Sequence, residues 1–141
     1  MAPLVDSQSI TPRDTIGELV TGGAVTVDEK LTLRSIASVL TAADIGAALV
    51  HRGNNPVGIV SERDVVRALA QDADPETVWS ADVMTEDLVT VDAGEEILRV
   101  ALRMIDKGIR HLAITRDGGV IGVVSSRDVF AILAEDVLET W

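Results

Sequence analysis

At 141 residues, 47% of them hydrophobic, the chain suits one compact domain or two small halves sharing a core. Its net charge of −11 argues against a broad nucleic-acid or anionic-membrane surface, since both need clustered Lys and Arg. The absence of cysteine excludes disulfides and thiolate metal sites.

The first fifteen residues lack a basic start followed by an apolar block, so they resemble no secretion signal. No apolar run approaches the roughly 20 residues needed to span a bilayer. A cytoplasmic protein is the expectation. With Trp79, Phe130 and Trp141 as the only aromatics, base stacking on aromatic platforms is disfavoured, and the two tryptophans read as packing or dimer contacts.

Residues 1–12 are polar, contain Pro3 and Pro12 and show no period, which reads as a flexible tail. Thr15 to Val20 reads as a short helix ended by Gly22-Gly23, and Ala24 to Val27 as a short strand. Asp28 is the expected cap of a helix over Leu31 to Ala43, with Leu33, Ile36, Ala37 and Leu40 on one face. Gly46 to Val50 is an apolar strand, Gly53-Asn54-Asn55-Pro56 a turn, and Val57 to Val60 a second strand. A helix follows Ser61 and runs to about Gln71 before Asp72-Ala73-Asp74-Pro75 breaks it.

The same plan then repeats. Thr26 aligns with Thr90, Gly58 with Gly122 and Asp64 with Asp128, and the offset is constant (90 − 26 = 122 − 58 = 128 − 64 = 64). In the second copy Ala81 to Thr85 is the short helix, Leu88 to Val91 the first strand, and Glu95 to Asp106 the long helix. Its expected buried face is Ile97, Leu98, Ala101, Leu102 and Ile105. His111 to Thr115 and Val120 to Val124 are strands flanking the turn Arg116-Asp117-Gly118-Gly119, and a last helix runs towards Leu138. The boundaries are thus a tail over 1–12, repeat 1 over 13–73 and repeat 2 over 74–141. Each repeat is β-α-β-β-α with helices on one face of a mixed sheet.

Each repeat closes on an apolar strand that runs straight into a helix: Gly58-Ile59-Val60-Ser61-Glu62-Arg63-Asp64 and Gly122-Val123-Val124-Ser125-Ser126-Arg127-Asp128. Ser61 and Ser125 occupy N-cap positions, with Asp64 and Asp128 in the first turn. A helix start offers unpaired N–H donors and a positive dipole end, so each turn is a candidate anion or ligand site. The same spacing also describes a capping box, in which Ser and Asp satisfy backbone donors and nothing more. Arg63 and Arg127 can meet a phosphate or pair with a neighbour such as Glu62. Arg110-His111 precedes a strand, and the matching positions in repeat 1 are Gly46 and Ala47. One basic lining and one uncharged lining are therefore expected.

These two motifs at a constant offset resemble the cystathionine-β-synthase (CBS) domain pair, of the stand-alone bacterial type, over roughly residues 13–137. The resemblance implies an α/β (α+β) fold of two β-α-β-β-α repeats packed with pseudo-twofold symmetry. It implies clefts that bind adenosine-containing ligands: AMP, ADP, ATP or S-adenosylmethionine, with no cofactor required. Carried over by position, Asp64 and Asp128 accept from ribose hydroxyls, and Ser61 and Ser125 lie near the phosphate. Thr26, Val27, Thr90 and Val91 flank the base, Ile59 and Val123 pack on the purine, and Arg110 and His111 meet phosphates. It also implies a homodimer formed through helices, for which Val65, Leu69, Val129 and Leu133 are candidates for either the interface or the core.

The leading expectation is a regulatory module that senses a nucleotide and signals to a separate protein, since the pair leaves no room in this chain for the machine it regulates. The alternative is a ligand-free dimerisation or scaffold module. Catalysis is not expected: there is no GxSxG, HExxH or Walker-type loop, and neither His51 nor His111 lies in a motif that positions a nucleophile or metal. No nucleic acid, membrane or metal ion is expected as a partner.

Overall fold

The computed structural model describes residues 10–20 and 22–140. Residues 1–9 of the expected tail, and Trp141 with its expected packing role, fall outside that range. Within it the chain forms two compact units: residues 24–89, and residues 90–141 together with the chain up to Gly23. These units divide the chain differently from the duplication at 13–73 and 74–141, because each lead-in segment packs on the other copy's strands. Ile16 N donates to Glu95 O (2.7 Å) and Gly17 N to Ala93 O (2.9 Å). Ser80 N donates to Leu31 O (2.8 Å), and Ser80 Oγ to Asp28 O (2.6 Å). Residues 10–12 belong to this arrangement: Ile10 packs on the core and Pro12 O accepts from Leu98 N at 3.0 Å.

The first unit contains β1 (Thr26–Asp28), α1 (Leu33–Ala43), β2 (Ala47–Arg52), β3 (Asn55–Ser61), α2 (Glu62–Ala70) and the single turn α3 (Ser80–Val83). The second contains a 3₁₀ turn over Ile16–Leu19, then β4 (Thr90–Asp92), α4 (Ile97–Lys107), β5 (His111–Arg116), β6 (Gly119–Ser125) and α5 (Ser126–Thr140). Each sheet has three strands in chain order, the first pair parallel and the second antiparallel. The α/β class and the β-α-β-β-α plan are as expected. The second hairpin turns at Asp117 and Gly118, both with positive φ (53° and 83°), the geometry that matches strand twist. No helix among the described residues is long and apolar enough to cross a membrane.

Each unit has its own core. One buries Val27, Leu33, Ile36, Leu40, Ala48, Val50 and Val60. The other buries Ile16, Val91, Ile97, Val100, Met104, Leu112, Ile114, Val124 and Val129. The central strands β2 and β5 are buried on both faces, which is why they read as unbroken apolar runs.

Three expectations are corrected. The cap of α1 is Thr32, which accepts from Ser35 N, while Asp28 sits in β1 and its Oδ1 accepts from Lys30 N (2.9 Å). Asn55 and Pro56 lie in β3, opposite Arg52 and His51, at a register irregularity that accommodates the missing proline N–H. The buried face of α4 is Ile97, Val100, Ala101 and Met104; Leu98, Leu102 and Ile105 face outwards. Helix entry at Ile97, two residues later than expected, does not move the face; tertiary packing chose between two apolar stripes. Of the four helix residues expected at either an interface or the core, Val65 and Val129 are core residues, Leu133 packs partly buried against the core, and Leu69 is exposed.

Candidate functional site

Sheet register decides which of the expected residues can act together. Thr90 is opposite Ala113, Ala113 opposite Val123, and His111 opposite Ser125. Opposed residues share a face and so do residues two apart on one strand, so Thr90, Val123, His111 and Ser125 lie on one face of this sheet. It is the face away from the core, because Leu112, Ile114 and Val124 alternate to the core side. The same register in the first unit puts Thr26, Leu49, Ile59, Ala47 and Ser61 on one face. Val27 and Val91, by contrast, are core side chains, each 3% exposed. Only their main chain is free to line a ligand, since strand alternation sends neighbours such as Thr26 and Val27 to opposite faces.

Both motif glycines have a steric cause. A Cβ on Gly58 would stand 2.6 Å from Thr85 O, and one on Gly122 would stand 2.6 Å from Val20 Cγ1. The segment that leads into each repeat crosses the third strand at that point, and Ile59 and Thr85 exchange two backbone hydrogen bonds there (3.1 and 2.9 Å). Gly58 thus makes room for the Thr85 main chain, and Gly122 for the Val20 side chain, beside the strand that carries each motif.

The two motif carboxylates differ. Ser61 Oγ accepts from Asp64 N (3.2 Å), and Asp64 Oδ2 accepts from Ser61 N (2.8 Å) and Ser61 Oγ (3.0 Å), a full capping box. Asp64 is buried, and its Oδ1 lies 3.4 Å from Arg67 Nη1. In the second copy the cap is looser: Asp128 N donates to Ser125 Oγ at 3.2 Å, and Ser125 N to Asp128 Oδ2 at 3.4 Å. Asp128 is exposed, and among the described residues its Oδ1 has no partner. The residue at the position of Arg67 is Ala131 (67 + 64 = 131). Sequence reasoning passed over this difference, although alignment at the constant offset displays it.

The basic residues are also unequal. The backbone bond from Ser126 N to Arg110 O (2.8 Å) ties Arg110 to the start of α5; its counterpart joins Glu62 N to Gly46 O (2.9 Å). Arg110 and Arg127 are exposed and His111 is half-buried, so three basic or neutral donor side chains lie around the second motif. Around the first are the exposed Arg63 and Arg67, and Arg67 is engaged with Asp64. Neither Arg63 nor Arg127 makes an ion pair among the described residues, so the expected alternative of pairing with Glu62 is not realised. His51 Nδ1 is 2.9 Å from Gly53 O at a hairpin, apart from either motif. Trp79 is partly exposed and stacks beneath Lys30 Nζ, 5.7 Å from the ring centre.

Known proteins share this plan. An uncharacterised protein of Methanopyrus kandleri is 32% identical over 125 residues, which are 87% of this chain and 60% of that protein's length. The solved structure of a CBS domain protein from Pyrobaculum aerophilum complexed with AMP superimposes with a TM-score of 0.76 at 30% identity, covering 88% of this chain and 98% of that one. Both organisms are archaea, so the likeness is not confined to bacterial chains. The CBS domain pair of protein MJ0100, in complex with 5′-methylthioadenosine and S-adenosyl-L-methionine, has a TM-score of 0.78 and covers 89% of this chain and 99% of that one; at 21% identity the likeness is one of fold. The CBS domain family model matches residues 16–71 and 80–135, the two copies of the β-α-β-β-α unit, and the chain therefore belongs to the CBS-domain family.

Proposed function

We propose that this chain is a regulatory module that binds an adenosine-containing small molecule and relays its occupancy to a regulated protein. The observation that carries the reading is Asp128: an exposed carboxylate with one oxygen unpartnered among the described residues, held beside Ser125 at the edge of a sheet face that also carries Thr90, Val123 and His111. An ionised carboxylate is an acceptor only, and it accepts from both hydroxyls of a ribose cis-diol through charge-assisted bonds. Val123 offers the base an apolar surface. Arg110, His111 and Arg127 surround the phosphate side, which favours AMP, ADP or ATP over an uncharged nucleoside. S-adenosylmethionine shares the ribose and the base. The reading draws support from the AMP named with the P. aerophilum relative. It includes a cytoplasmic homodimer, no catalytic step, and a separate regulated partner protein.

A specific observation favours a second reading for the first copy. Asp64 is already used by its capping box and by Arg67, as a ligand-free scaffold would have it. The experiment is a thermal-shift and calorimetry panel of AMP, ADP, ATP, NAD, S-adenosylmethionine and GTP against wild type and Asp128→Asn. A ligand at 100 times its Kd stabilises the fold by about 2.7 kcal/mol. A shift confined to adenine ligands and lost in Asp128→Asn is the expected result. A flat panel would transfer the whole chain to the scaffold reading.

A further inference from the structure

The two strand-to-helix turns carry opposite chemistry at the residue after the motif serine. Helix α2 opens on Glu62 and helix α5 on Ser126 (126 − 64 = 62). Each is tied through its backbone N–H to the residue that precedes the central strand: Glu62 N donates to Gly46 O (2.9 Å), and Ser126 N to Arg110 O (2.8 Å). Position 126 therefore stands beside Arg110, and His111 lies opposite the adjoining Ser125. In the first copy the same bond sets an acid beside a glycine, with Ala47 opposite Ser61.

Neither side chain has a partner among the described residues. Glu62 is exposed and in no ion pair, and Ser126 is half-buried with its hydroxyl in no hydrogen bond. An acid in the first turn of a helix is favoured by the helix dipole, so helix stability alone prefers Glu at both positions. Ser126 forgoes that stabilisation. The surroundings account for the exchange. Arg110, His111 and Arg127 lie around position 126. Around position 62 the one unengaged base is Arg63, since Arg67 is held by Asp64, and the Glu62 carboxylate offsets its charge.

We infer that this position sets the charge class of the ligand. Ser126 is a specificity-determining residue that admits the phosphate of an adenosine compound to the second motif and donates its hydroxyl to it. Glu62, at the same place, sets the first motif against phosphate. A serine hydroxyl donates to a phosphate oxygen without adding charge, whereas a carboxylate is an acceptor only and repels it. The inference rests on the nucleotide reading above and adds to it the residue that separates phosphorylated from unphosphorylated adenosine compounds.

The test exchanges one residue. Ser126→Glu installs what the first copy carries, Ser126→Gln is the uncharged control of the same size, and calorimetry titrates each with AMP and with adenosine. Wild type is expected to take one AMP per chain. Ser126→Glu should weaken AMP about tenfold or more and Ser126→Gln by about threefold or less, with adenosine affinity held within about twofold in both. The melting temperature of Ser126→Glu should equal or exceed that of wild type, which separates lost affinity from lost fold. Equal losses of AMP affinity in the two variants would overturn the role of charge, and an unchanged AMP affinity in Ser126→Glu would overturn the inference while leaving the nucleotide site in place. Two AMP per wild-type chain would overturn the role of Glu62. A wild type that binds neither AMP nor adenosine would overturn the nucleotide reading itself, and this inference with it.

Discussion

Arg67 Nη1 lies 3.4 Å from Asp64 Oδ1, and no equivalent contact exists in the second copy, where Ala131 replaces the arginine. The two motifs are thus alike in sequence and unlike in availability. One carboxylate is buried with both oxygens engaged, and the other is exposed with one oxygen unpartnered among the described residues.

The first prediction contrasts the two acids. Asp64→Ala removes a buried half of a capping box and is expected to lower stability by about 1–2 kcal/mol, the usual cost of a lost cap. Asp128→Ala removes a looser, exposed contact and should cost less than that, yet abolish adenine-ligand binding. Urea denaturation and calorimetry on the same two variants check both statements. Equal destabilisation with retained binding would reduce both residues to caps.

Arg67→Ala should change stability by no more than about 1 kcal/mol, because the pair is solvent-exposed on the arginine side. It frees Asp64 Oδ1 and brings the first copy closer to the second. Ligand stoichiometry should therefore rise, or the weaker of two affinities tighten, with the Asp128 site untouched. Titration of Arg67→Ala in an Asp128→Asn background isolates the effect; no heat in that background would show that Asp64 stays closed for other reasons.

The motif glycines should respond differently to alanine. In Gly58→Ala the new methyl meets a main-chain carbonyl, Thr85 O, that is held by two hydrogen bonds, so a loss of at least about 1–3 kcal/mol is expected with no side-chain remedy. In Gly122→Ala it meets the Val20 side chain, and the second change Val20→Ala should recover most of the loss. Thermal denaturation of the singles and of the double variant decides it.

Arg110→Ala with His111→Ala removes two donor side chains beside the second motif while leaving Asp128 in place. AMP affinity should fall by about tenfold or more, the range of a lost hydrogen bond to a charged group, and adenosine affinity should change little. Calorimetry with the two ligands side by side reads the difference. An equal loss for both would assign Arg110 and His111 to the structure of β5.

Most of the architecture was legible in the chain before any coordinates, because it depends on local rules. The offset of 64 exposed the duplication, periodicity placed the helices and strands, and an unbroken apolar run marked β2 and β5 as doubly buried. The Ser-x-x-Asp spacing announced a capped helix start, and both caps are present. What tertiary structure alone decided are choices between locally equivalent options. Both lead-in segments fit either copy by pattern, and packing sent each to the strands of the other. Helix α4 had two apolar stripes, and sequence periodicity cannot say which of them meets a sheet. By sequence Thr26-Val27 and Thr90-Val91 are pairs of candidate lining residues, but a strand presents alternate neighbours to opposite faces, and the core takes the valine side chains. The state of a motif carboxylate depends on what folds back over it. Asp64 and Asp128 are the same residue in the same motif, and an arginine one helical turn away engages one of them.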